Sequence, residues 1–216
     1  MKRTETAAAT AEAIADAPCG TKVRVRDRIF ETACNLFYSQ GIRSVGVDAI
    51  ANEAGTNKMS FYRSFSSKDE LVAEYLRDSE RQFWEWWDYV VAAYPNDPRR
   101  QCEALFETQI NNPCDKNMRG CAMANAAVEI REEDHPALAV VRSHKSAIRD
   151  RFRQLAREMK AHEPDVLGDA LMLLMNGSIQ SRLIFPGDCG PAVNVARVVK
   201  TLIDAHIGER CPAKKR

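Results

Sequence analysis

The sequence predicts an all-α fold: an N-terminal three-helix helix-turn-helix domain followed by a C-terminal helical ligand-binding and dimerisation domain, about nine helices in all. Val47, Ile50, Ala51 and Ala54 share one helical face, and Gly55-Thr56-Asn57 interrupts that helix before a second short run opens at Lys58. Elsewhere Gly and Pro fall at the joints between stretches of helical periodicity, and no period-2 alternation persists.

In chain order, residues 1–21, rich in Ala and Thr with Pro18 and Gly20, read as a disordered tail. Lys22, Arg24, Arg26 and Arg28 form a basic run where the first helix starts, suited to phosphate contact or simply to a solvated helix end. Ile29, Ala33, Leu36 and Phe37 then make an apolar stripe that closes at Gly41. The second helix begins after Gly46, and the third after Asn57, a preferred N-cap. A short helix crossing another through a Gly-containing turn is the geometry that projects the later helix into a DNA major groove. Lys58, Met59 and Ser60 would lead that helix, with Tyr62 and Arg63 one turn on, while Phe61 and Phe65 plug it into its own domain. Arg43, Gly46 and Thr56 flank the motif and are assigned to the same surface. Ser67-Lys68-Asp69-Glu70 reads as a capping box opening a long fourth helix through Leu71, Tyr75 and Leu76.

With Ile29, Ala33, Leu36-Phe37, Gly41, Val47-Asp48-Ala49-Ile50-Ala51, Ala54-Gly55, Lys58, Tyr62-Arg63, Phe65 and Ser67 to Val72, the chain resembles the TetR family of one-component transcriptional regulators. The resemblance implies that Tyr62 and Lys68 grip phosphates and that Lys58 to Arg63 enter the groove. Val45 and Gly46 stand where such sequences usually carry a hydroxyl residue, which removes one phosphate contact. Ser64 replaces a more usual His.

The 216 residues carry a formal net charge of +1, with 45% hydrophobic and 28% charged content, ordinary for a globular protein. The charge is not spread evenly: from Lys22 to Phe65 there are seven basic and four acidic residues. That fits a DNA-reading head on a neutral body. Seven scattered cysteines without metal spacing argue for a reducing cytoplasm. No apolar run is long enough to span a membrane, and Glu12 and Asp16 interrupt the only stretch resembling an export signal.

The domain boundaries expected are 22–67 for the DNA-binding unit, 68–210 for the effector-binding and dimerisation unit, and 211–216 for a basic tail. In the body, the fourth helix runs to Tyr94 and stops at Pro95-Asn96. Its Phe83-Trp84-Glu85-Trp86-Trp87 segment puts aromatics on more than one face, so Trp84 or Trp86 is available to wall a cavity. Asp97-Pro98, His135-Pro136 and Glu163-Pro164 each start a helix, reaching about Asn112, Lys160 and Phe185. Cys121 to Ile130 forms a short helix, and the last runs from about Pro191 to Ile207. The Val166 to Phe185 helix is apolar nearly all round and must be buried on two sides. Leu167, Leu171 and Leu174, with Val195, Val199 and Leu202 of the last helix, are assigned to a homodimer seam. Effector contacts are assigned to Trp84, Trp87, Phe106, Cys121, Met172, Met175 and Asn176.

Arg119 to Glu129 resembles a Gly-Cys segment of one group of these regulators, some of which respond to electrophiles or oxidants. Cys121 is thus either a sensing thiol or a small packing residue, and a Cys114–Cys121 disulfide is a further option. His135, His144, His162 and His206 lack ligand spacing and read as surface or cap residues; no metal site, catalytic motif or cofactor is indicated. The expected function is a ligand-responsive regulator, a repressor, binding a palindromic operator as a homodimer and released by a small-molecule effector. The alternatives are a thiol-based repressor using Cys121, or a helical small-molecule-binding protein without sequence-specific DNA binding.

Overall fold

A computed structural model describes residues 24–111, 118–185 and 190–208. The expected tails at 1–21 and 211–216, Lys22 and Cys114 lie outside them. The described residues form nine α-helices and no strand. These are α1 (Val25–Gln40), α2 (Val47–Glu53), α3 (Lys58–Ser64), α4 (Lys68–Ala92), α5 (Pro98–Asn111), α6 (Ala122–Glu129), α7 (Pro136–Glu158), α8 (Pro164–Ile184) and α9 (Val195–Ile207), the last preceded by a 3-10 turn, Pro191–Asn194. None is long and apolar enough to cross a membrane.

Local chemistry sets the boundaries. Gly41 ends α1 at φ 92°, a backbone angle open to glycine. Asn57 Oδ1 accepts from the Ser60 amide at 2.9 Å to start α3, and Ser67 Oγ accepts from the Glu70 amide at 3.0 Å to start α4. The Glu70 carboxylate bonds the Ser66 hydroxyl, not its own cap residue. Asp97 and His135 cap α5 and α7 through the Arg100 amide at 2.9 Å and the Ala137 amide at 3.1 Å.

Two apolar cores follow, joined by α4. Ile29, Phe37, Ile50, Phe61, Leu71 and Leu76 are buried in the first, together with Met123 and Ala126 of α6. Trp87, Phe106, Phe152, Leu167, Leu171 and Val199 anchor the second. Trp87 meets Phe152 edge on with centroids 5.0 Å apart, and Phe106 stacks on Phe152 at 5.9 Å. Burial of each such side chain stabilises the fold by about 1.5–3 kcal/mol, so both cores hold α4 rigidly between them. Gly168 sets the α7–α8 packing: a Cβ there would meet the Arg153 backbone at 2.6 Å.

That close approach corrects the dimer assignment. Leu167, Leu171, Val195 and Val199 are between 0% and 5% exposed, within the core of their own chain, and cannot reach a second copy. Leu174 and Leu202 are half-buried against the same core. The exposed stripe of α8 is instead Val166, Leu173, Gly177 and Ile184, spaced seven, four and seven residues apart on one helical face.

Candidate functional site

The exposed end of the head is α3. Phe61 and Phe65, 0% and 4% exposed, fasten it to the first core. The opposite face leaves Met59 64% and Tyr62 50% exposed, beside exposed Lys58 and Arg63. Ser60 and Thr56 are half-buried; Gly46 and Asn57 are exposed. Lys58 Nζ lies 3.1 Å from Asp48 Oδ2, a pair in open solvent that contributes little and leaves the ammonium available to a stronger anion. A phenol, an ammonium, a guanidinium and a thioether on one short helix face have the chemistry for phosphate contacts and for apolar contacts to base edges.

The surrounding basic residues divide. Arg24 is exposed at the start of α1. Arg26 Nη2 instead donates to both carboxylate oxygens of Glu74 at 2.8 and 2.7 Å and stacks 4.7 Å over Phe65, and Arg28 Nε donates to the Ala54 carbonyl at 3.4 Å. These two tie α1 to α4 and α2. Lys68 is half-buried at the first turn of α4, where burial lowers its ammonium pKa. Arg43 faces α6: its amide donates to Glu129 Oε2 at 3.0 Å and its Nη1 to the Glu129 carbonyl at 3.3 Å. A Cβ on Gly41 would sit 3.1 Å from the same carboxylate.

A second joint lies at the other end of α6. Tyr38 Oη accepts from the Arg119 amide at 3.0 Å and donates to the Gly120 carbonyl at 3.2 Å. The segment 119–129 is therefore held to the head at both ends. Between them, Gly120 to Met123 form part of the wall of a cavity of about 290 Å³.

This cavity lies between Phe83 and Trp86 of α4 and Met175 and Ile179 of α8, with Gln109, His144 and Arg182 also in its wall. Of the assigned effector residues, Cys121 and Met175 line it. Trp87 and Phe106, 2% and 0% exposed, belong to the second core and are unavailable to a ligand. Trp84 packs against His144 at 5.8 Å and under Arg151, Asn176 accepts from Lys145 Nζ at 2.7 Å, and Met172 rests half-buried on the core; none is in the wall. Of the two tryptophans offered by the sequence, Trp86 lines the cavity.

His144 overturns its reading as a surface or cap residue: it is 3% exposed. Burial and the Lys145 charge lower its pKa, against a smaller opposing effect of Glu80, so the ring is neutral near pH 7. Glu80 Oε1 lies 3.5 Å from Nδ1, a long contact at the limit of a hydrogen bond, and Nδ1 has no closer partner among the described residues. A buried histidine followed by a lysine on an amphipathic helix, and a glutamine on the inner face of α5, are weak sequence signals; only packing reveals them.

The family profile described as "Bacterial regulatory proteins, tetR family" matches residues 29–75. Over 61 residues the chain is 36% identical to the HTH-type transcriptional repressor KstR2 of Mycolicibacterium smegmatis, covering 28% of each chain. Over 73 residues it is 33% identical to the HTH-type transcriptional regulator AcrR of Shigella flexneri, covering 34% of each. The match thus spans about a third or less of these curated relatives. Among solved structures, SCO4454, a TetR-family transcriptional regulator of Streptomyces coelicolor, superposes with a TM-score of 0.78 at 26% identity, over 85% of this chain and 96% of that one.

Proposed function

We propose that the chain is a DNA-binding transcriptional regulator of the TetR family, to which its head and fold are similar, and that it acts as a cytoplasmic homodimeric repressor released from a palindromic operator by a small-molecule effector. Residues 22–67 would read DNA, and 68–210 would hold the effector and the second copy. The observation that carries this is the face of α3, where Met59 and Tyr62 stand exposed between Lys58 and Arg63. The exposed stripe Val166, Leu173, Gly177 and Ile184 supports the dimer, since Gly177 has nothing within 4 Å of a Cβ and lets two helices approach closely.

The cavity supports the effector. A ligand pressing on Gly120 to Met123 would act on a segment tied to Tyr38 at one end and to Arg43 at the other. It would shift the head relative to α4 and weaken operator binding by the coupling energy, typically about 1–3 kcal/mol. The test is fluorescence anisotropy with DNA from the chain's own upstream intergenic region. Wild type is expected to bind tightly and to lose affinity on adding effector-containing cell extract. Tyr38→Phe is expected to keep the affinity and lose most of the response. Equal response in wild type and variant rejects this route, and binding indifferent to sequence rejects the regulator.

A second reading, a thiol trigger, is favoured by one contact: Lys145 Nζ lies 3.7 Å from Cys121 Sγ at the cavity wall. Under this reading Cys121→Ser abolishes release by an alkylating electrophile, and a full response in that variant rejects it.

A further inference from the structure

Among the described residues, the side-chain polar atoms buried without a hydrogen-bond partner are Trp86 Nε1, Gln109 Oε1 and His144 Nδ1. All three residues line the same cavity. Two other hollows, of about 460 Å³ at Lys68 and about 640 Å³ beside Tyr38, contain none of them. Orphaned buried polar atoms are uncommon and costly, and finding them on three residues that line one cavity points to a site completed by something outside the chain.

Their chemistry is fixed by their neighbours. The Met175 carbonyl can only accept, so the Gln109 amide nitrogen must face it, at 3.3 Å, with Ser178 Oγ at 3.0 Å. Gln109 Oε1 is therefore the atom turned away, and it can only accept. Trp86 Nε1 can only donate. His144, neutral, can do either according to tautomer. The charged Arg182 in the wall donates Nη1 to the Gln109 carbonyl at 2.7 Å.

We propose that the cavity takes a neutral, largely apolar molecule, about two rings in size, whose hydroxyl groups accept from Trp86 Nε1 and donate to Gln109 Oε1. A dry cavity of roughly 150 Å³ holds benzene, and this one is about 290 Å³. Aromatic and thioether walls suit the rings. A hydrocarbon would leave all three polar atoms unpaired. A carboxylate would only accept, and would leave Gln109 Oε1 facing another acceptor. A phenol or alcohol satisfies both demands. This deepens the effector reading and rests on it.

Calorimetry of the full chain with naphthol, naphthalene and naphthoate separates the cases, since the three share a ring system and differ at the polar group. Naphthol is expected to bind at least about tenfold more tightly than either of the others. Gln109→Leu and Trp86→Phe are expected to reduce naphthol to the level of naphthalene, whose unchanged affinity reports an intact cavity. If a variant unfolds, the wild-type ranking decides. Equal binding of naphthalene, preference for naphthoate, or no binding of any of the three overturns the proposal. If naphthol binds in the expected order yet leaves operator affinity unchanged, the ligand class stands and the effector reading fails.

Discussion

Two helices of this chain leave large apolar side chains in solvent, and their surroundings differ. On α3, Met59 and Tyr62 sit beside Lys58 and Arg63. On α8, Leu173 and Ile184, 72% and 71% exposed, share their stripe with Val166 and Gly177 and no charge. An apolar face bordered by cations suits a polyanion with a groove; an apolar face with a glycine gap suits another apolar face. The contrast fits the proposal that DNA meets the first and a second copy meets the other.

The largest expected effect comes from breaking the uncharged face. Leu173→Glu with Ile184→Glu should yield a monomer by analytical ultracentrifugation, and operator affinity should fall about a hundredfold or more as two linked heads become one. A monomer with undiminished affinity would break the comparison. Tyr62→Ala should weaken operator binding about tenfold while leaving the dimer mass unchanged, because a head contact costs about 1–3 kcal/mol. Rising salt should separate the faces further, weakening DNA binding steeply and leaving the dimer intact.

A fourth prediction concerns the body between the faces. His144, packed against Glu80 and beside Lys145, has its pKa lowered from the ordinary 6.5 mainly by burial. The unfolded chain takes up the proton first as pH falls, so stability is fully present above about pH 6.5 and is lost as pH drops toward the lower folded value. Thermal unfolding across pH should show this loss, and His144→Phe should reduce it. Smallest is Asp48→Ala: removing a pair exposed on both sides frees Lys58 and should change operator affinity by about threefold or less.

Helix limits were legible because capping and chain-breaking residues act locally. Gly41, Asn57, Ser67, Asp97-Pro98 and His135-Pro136 each set an end through its own backbone or nearest amides. Facing was less legible. Periodicity showed that α8 is apolar on two sides, but the choice of side depended on Gly168 admitting the Arg153 backbone. Leu167 and Leu171 consequently belong to the core, and the outer stripe was missed. The cavity was partly legible for the same reason. Aromatic and Met residues pointed to α4 and α8, whereas Gln109 and His144 acquire meaning only once packing leaves an atom of each without a partner. Arg26 and Arg43 carry the charge of DNA contacts, yet they bond Glu74 and Glu129 across elements far apart in sequence.

The most direct measurement is selection of duplexes from random DNA by the full chain, followed by the mass of the bound complex. The account predicts an inverted repeat with half-site centres about 34–36 Å apart or a multiple of that, bound by an even number of chains and lost in Tyr62→Ala. Retention of all sequences alike, or one chain on a single half-site, would contradict it.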